Sequence, residues 1–173
     1  MSNYIAKEAV ISPCGKYRFL LTRRWERQLD GDRVTFIMLN PSTADANDDD
    51  PTIRRCVGFA KSWGYRAVEI VNLFAFRATD PKELKALGYT EAVGPDNNSY
   101  ITGSIFTAHK YICAWSNHGT LMHRSDRLRT AILNSSCANN GHYLKRNGKD
   151  GQGEPAHPLY LKGDLVPIHW DLK

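Results

Sequence analysis

Side chains able to do chemistry stand at Asn40-Pro41-Ser42-Thr43, along residues 72–77, at His118 and at His157-Pro158. Asn40 can hold a water molecule with its amide oxygen and donate to a base or carbonyl with its nitrogen. Pro41 stiffens the turn, and Ser42 and Thr43 can meet a phosphate through hydroxyl or backbone amide. The same four residues also suit a turn that merely closes a strand. Phe74 and Phe76 can stack on a planar ligand, or they seal the core, and Arg77 ends their loop as a cation. His157, held against Pro158, can donate to a developing negative charge. His118, beside Gly119, is its rival, and either histidine also serves as a purely structural residue.

The acidic run Asp45-Ala46-Asn47-Asp48-Asp49-Asp50 has three readings. It can ligate a divalent cation, supply a carboxylate that activates water, or form a solvated loop whose last member caps a helix. Asp45 is the catalytic candidate because it lies closest to a strand end. Several carboxylates would repel a phosphate, which argues against all of them lining one nucleotide pocket. Arg54 and Arg55 follow in the first turns of the expected helix, where an arginine can fork onto phosphate or pair with those aspartates. The sequence has no GxSxG elbow, no GxGxxG and no Walker lysine, which disfavours α/β-hydrolase, dinucleotide and P-loop chemistry.

These residues need elements to position them. Residues 34–39 form an apolar run that reads as a buried central strand, and 67–71 and 111–115 repeat the pattern. Each run ends in polar residues, at Asn40, Asn72 and Ser116. If the three strands are parallel neighbours, their carboxyl ends share one rim, where open α/β sheets bind ligands. Asp50-Pro51 begins a helix that Gly64 stops, and further helices are expected from Pro81 to Gly88, over 95–108 and over 123–135. Helices between strands indicate βαβ units and a largely parallel sheet. An N-terminal hairpin occupies about residues 8–30, with arms at 8–12 and 17–22, a turn at 13–16 and a second turn at 29–32. The core spans about 33–168, and residues 145–153 read as a polar, glycine-rich loop.

The 173 residues suit one α/β domain, with 42% hydrophobic and 24% charged residues. No apolar stretch approaches roughly 18 residues, so no membrane span is expected. The start lacks an apolar signal segment, which points to a cytoplasmic protein. The net charge of +5 mildly favours an anionic partner. The four cysteines form no CxxC pair, and Cys56 and Cys113 fall inside expected elements as buried thiols. No cofactor and no metal is expected.

Longer motifs carry a resemblance. Ile37-Met38-Leu39-Asn40-Pro41-Ser42-Thr43-Ala44-Asp45, Asp49-Asp50-Pro51-Thr52-Ile53-Arg54-Arg55-Cys56, residues 71–81 and His157-Pro158-Leu159-Tyr160-Leu161 resemble the uncharacterised bacterial and phage family DUF1643, over about residues 8–168. A more distant resemblance is to the uracil-DNA glycosylase superfamily. Leu39-Asn40-Pro41-Ser42 is similar to its first motif, Asn72-Leu73 with Arg77 and Asp80-Pro81 to its middle segment, and His157-Pro158-Leu159 to its late His-Pro-Ser motif. The resemblance implies a three-layer α/β/α sandwich with a largely parallel sheet. It implies an N-glycosidic-bond hydrolase acting on a nucleotide, a nucleoside or DNA. In that role Asn40, with Asp45, orients water, Asn72 reads the base edge, Phe74 or Phe76 stacks on the base, and His157 stabilises the departing base. His-Pro-Leu in place of His-Pro-Ser, the acidic run, and the lack of iron–sulfur cysteines shift the expectation toward a free or modified nucleotide. The rival classes are a non-catalytic nucleotide or nucleic-acid binding protein, and a metal-dependent phosphoester hydrolase built on residues 45–50.

Overall fold

The computed structural model of the chain describes residues 4–27 and 33–171. The expected turn at 29–32 lies outside the described residues. Strands β1 (Ala6–Ile11), β2 (Arg18–Arg24), β3 (Arg33–Met38), β4 (Ala67–Asn72), β5 (Lys110–Cys113), β6 (Gly141–Tyr143) and β7 (Ile168–His169) form one seven-stranded sheet in the order β1-β2-β4-β3-β5-β6-β7. Among the described residues five α-helices accompany them: α1 (Pro51–Ser62), α2 (Lys82–Lys85), α3 (Tyr89–Val93), α4 (Asn97–Thr107) and α5 (Arg124–Leu133).

β3 sits between β4 and β5 and runs parallel to both, and β6 continues parallel beside β5. From β3 the chain passes through α1 to β4 on one side, then returns past β3 to β5 on the other. The two connections diverge at the carboxyl end of β3 and leave a crevice there, the usual ligand position in open α/β sheets.

Burial explains the apolar runs. Val34, Phe36 and Met38 of β3 join one cluster with Ile53, Cys56 and Val57 of α1. Ile37 of β3 and Leu39 just beyond it join a second cluster, with Ile101 of α4 and Leu128 of α5. A strand buried on both faces reads as continuous hydrophobicity rather than alternation. Asp50 accepts from the Ile53 amide at 2.8 Å to cap α1, Pro51 fills its first position, and Gly64 follows its end at φ +82.

The sheet corrects one expectation: it is mixed rather than largely parallel. The hairpin does not stand apart, because β2 pairs antiparallel with β4, β1 with β2, and β7 with β6. Phe19 and Leu21 are buried on β2 and need an apolar partner, and the open edge of β4 provides one while losing its unpaired backbone groups. The helix expected up to Gly88 is also shorter: α2 has four residues, with Leu84 as its single buried side chain, and Gly88 instead precedes α3. Cys56, Cys113 and Cys137 are buried free thiols and Cys14 is exposed. Among the described residues no helix is long and apolar enough to cross a membrane.

Candidate functional site

A hollow of about 310 Å³ lies at the carboxyl ends of β3, β4 and β5. Asn40, Asn72 and His157 all line it, with Ser42 and His118. Residues far apart in sequence thus converge because three parallel strands end together and the late loop folds over them.

Asn72 is the last residue of β4 and pairs with Met38. It is 1% exposed, and among the described residues neither its amide nitrogen nor its amide oxygen has a hydrogen-bond partner. Leaving such groups unmade costs about 1–3 kcal/mol each, so a buried free amide on a cavity wall calls for a functional explanation. The backbone around it is well tied: Asn97 Nδ2 donates to the carbonyls of Asn72 and Leu73 at 3.0 and 3.2 Å.

Asn40 follows β3. Its Nδ2 donates to Ala78 O at 2.8 Å and to Pro41 O at 3.1 Å, and Ala78 N donates back to Pro41 O at 2.9 Å. The nitrogen is therefore committed to backbone, and the amide oxygen is the atom left for water or ligand. Only half of the chemistry anticipated for Asn40, holding water and donating to a base, is open to it.

His157 precedes a 3₁₀ turn over residues 158–160, and its Nδ1 accepts from the Leu159 amide at 3.3 Å. With Nδ1 accepting, the neutral ring carries its proton on Nε2. Burial pulls the His157 pKa below its ordinary value, opposed by the charge of Asp50. The result is a neutral imidazole on the hollow wall with one N–H donor to offer.

Two charged residues complete the wall, and one of them, Arg18, had no place in any site expected from the sequence. Arg18 enters from β2, is 2% exposed, and donates from Nη1 to Ala44 O at 2.8 Å. Burial lowers its pKa to about 10, with Asp50 pulling the other way, so it stays charged at neutral pH. Its Nε has no partner among the described residues. Asp50, the last member of the acidic run, both caps α1 and lines the hollow. Thr52, Thr79, Trp115 and Ser116 line it as well. The ends of the strand runs were a usable signal for Trp115 and Ser116. Arg18 had none, because it arrives through the non-local pairing of β2.

Other candidates lie elsewhere. Asp45 Oδ1 accepts from the amides of Asn47 and Asp48 at 2.7 and 3.0 Å, and these bonds hold its carboxyl below the usual range. It closes a loop and does not line the hollow. Thr43 and Arg54 are exposed, and Arg54 Nη1 donates to Asp49 O. Phe74 is sealed in the core at 0% exposure, and Phe76 packs edge-on against Tyr17 with ring centres 5.9 Å apart. Arg77 reaches Gly15 O at 3.4 Å, and Pro158 is buried behind His157. None of these six side chains, nor Asp45, stands on the wall.

The aspartates of residues 45–50 do not gather around a centre. Asp49 pairs with Arg23 at 2.7 Å and accepts from Tyr4 at 2.5 Å, while Asp45 and Asp50 serve backbone amides. Among the described residues no group of three or more His, Cys, Asp or Glu side chains is arranged to hold a metal ion.

A family model described as a protein of unknown function (DUF1643) matches residues 18–159. No curated protein and no solved structure matches the chain.

Proposed function

We propose a function for this chain, which belongs to the DUF1643 family, from its own site: the hollow binds the base of a nucleotide, nucleoside or DNA and hydrolyses its N-glycosidic bond. The observation that carries this reading is the Asn72 amide, buried, unpartnered and on the cavity wall. One donor beside one acceptor matches a base edge that carries an N–H next to a carbonyl. A cavity near 300 Å³ is at the small end of ligand pockets, the size class of a base with its sugar.

The roles follow from the free atoms. Asn72 reads the base edge. His157 Nε2–H donates to a base oxygen whose negative charge grows as the glycosidic bond breaks. Asn40 Oδ1 accepts from a water and aims it at the anomeric carbon. The C–N electron pair leaves on the base, the water oxygen bonds to the carbon, and its proton passes to the departing base or to solvent. Asp50, rather than Asp45, is the carboxylate on this wall, and it faces the positive charge that grows on the sugar. In duplex DNA the nucleotide must first be flipped out. The motif resemblance supports the same reading, and with it a reading of β4, β3, β5 and β6 and the helices beside them as a glycosylase-like three-layer core.

The test is release of free base, read by chromatography, from nucleosides, nucleoside monophosphates and base-modified DNA. The wild type releases a base, and His157→Ala lowers the rate about a hundredfold or more. Binding without release in every substrate class replaces the hydrolase by a binding protein. Phosphate release that a chelator abolishes replaces it by a metal-dependent phosphoesterase on the aspartate run.

A further inference from the structure

A second cavity, of about 290 Å³, lies between α4 and α5, away from the residues that line the hollow. Arg124 and Arg127 line it from α5, Asn98 and Thr102 from α4, and Tyr89 from α3. Arg124 is 3% exposed. Its Nε donates to Leu73 O at 2.7 Å and its Nη2 to Asn98 Oδ1 at 2.5 Å. Arg127 lies exposed with its guanidinium 4.9 Å from the Tyr89 ring centre.

The charge balance of this cavity is one-sided. No carboxylate lines it, and neither arginine has an ion-pair partner among the described residues. Asp126, the acid of α5, is turned to Arg129 and His123 at 3.6 and 3.8 Å. Burial and the neighbouring Arg127 charge both lower the Arg124 pKa, and only Tyr89 acts to raise it. A buried charge is ordinarily paired. The ties to Leu73 and Asn98 use two of the five N–H donors of Arg124, Tyr89 takes up part of the rest, and Arg127 stacks on the Tyr89 ring with its N–H groups free of carboxylates among the described residues. Because Asn98 Oδ1 already accepts, its Nδ2 is a further donor, and Thr102 and Tyr89 add hydroxyls.

We infer that this cavity is an oxyanion site for a phosphate group, clamped by Arg124 and Arg127. Donors arriving from three helices suit a tetrahedral group with several acceptor oxygens, and guanidinium forks match phosphate geometry. Ile101 and Leu128 give the cavity an apolar side on which the organic part of an ester can rest. The inference stands apart from the proposed hydrolase and does not need it.

The experiment is calorimetric titration of the full chain with inorganic phosphate at constant ionic strength. The wild type binds it saturably. Arg127→Glu, at an exposed position, weakens binding roughly tenfold or more, Arg127→Gln does so in the same direction, and His157→Ala leaves it unchanged. No saturable binding overturns the inference. So does binding that survives Arg127→Glu, or that is lost in His157→Ala, which would put the phosphate in the first hollow. A nucleoside 5′-monophosphate and a single-stranded oligonucleotide then separate two sources of the group. Affinity that grows with oligonucleotide length and falls steeply with salt assigns a nucleic-acid backbone, whereas equal binding of monophosphate and inorganic phosphate assigns a free ester.

Discussion

The acidic loop at 45–50 and the rim of Asn40, Asn72 and His157 are neighbours that use polar atoms in opposite ways. In the loop, hydrogen-bonding capacity is largely engaged: Asp45 holds two amides, Asp49 holds Arg23 and Tyr4, and Asp50 caps a helix. On the rim it is left over. Asn72 has a whole amide without partners, His157 offers Nε2–H, and Asn40 keeps its oxygen. The dense carboxylates do mainly structural work, and the neutral groups of the rim face the cavity beside Arg18. Asp50 belongs to both regions, which is why it is the carboxylate assigned to the reaction.

The contrast can be broken by mutation. The largest effect is expected from His157→Ala, which should lower base release by about 10²–10³ while the lost bond to the Leu159 amide costs only about 1 kcal/mol of stability in chemical denaturation. Asp49→Ala should do the reverse. It strands Arg23, whose side chain is 0% exposed, and should destabilise the protein by roughly 3 kcal/mol while ligand binding in the hollow persists. Equal loss of activity in both variants would erase the distinction between the regions.

Acid acts on the rim through His157. The folded pKa of His157 is depressed, so the native state favours the neutral ring. Its contribution to stability is present above the unfolded pKa and is lost as pH falls through the folded pKa. Protonation also turns Nδ1 from acceptor into donor against the Leu159 amide. A nitrogen-15 NMR titration should therefore place the midpoint below the ordinary 6.5, with base release falling on that same acid limb. The smallest effect is expected from Asp45→Asn: base release should change by less than about twofold, because an amide oxygen still accepts from the Asn47 and Asp48 amides.

Much of the frame was legible because its signals are local. An apolar run ending in asparagine marks β3 and β4, and Asp50-Pro51 with Gly64 brackets α1. Asn40, Asn72 and His157 were readable for the same reason, since each sits where an element or motif ends. What escaped depends on distant pairing. β6 and β7 are three and two residues long, too short to show a period, and the mixed sheet follows from β2 choosing the β4 edge. That pairing also carries Arg18 into the hollow. Phe74 was ambiguous in sequence because an aromatic that seals a core and one that stacks on a base look alike until burial is known. Asp45 looked reactive by its nearness to the strand end, but an aspartate two and three residues before free amides readily closes on them instead.

The most direct test of the central claim is Asn72→Leu, measured for thermal stability with and without a panel of nucleosides and nucleoside monophosphates. A buried amide without partners destabilises the protein, and an apolar side chain of similar shape removes that penalty. The melting temperature of the unliganded variant should hold or rise, and the ligand-induced shift seen in the wild type should vanish. A lower melting temperature together with an intact ligand shift would contradict the account, because it would make Asn72 a structural residue rather than the reader of a base.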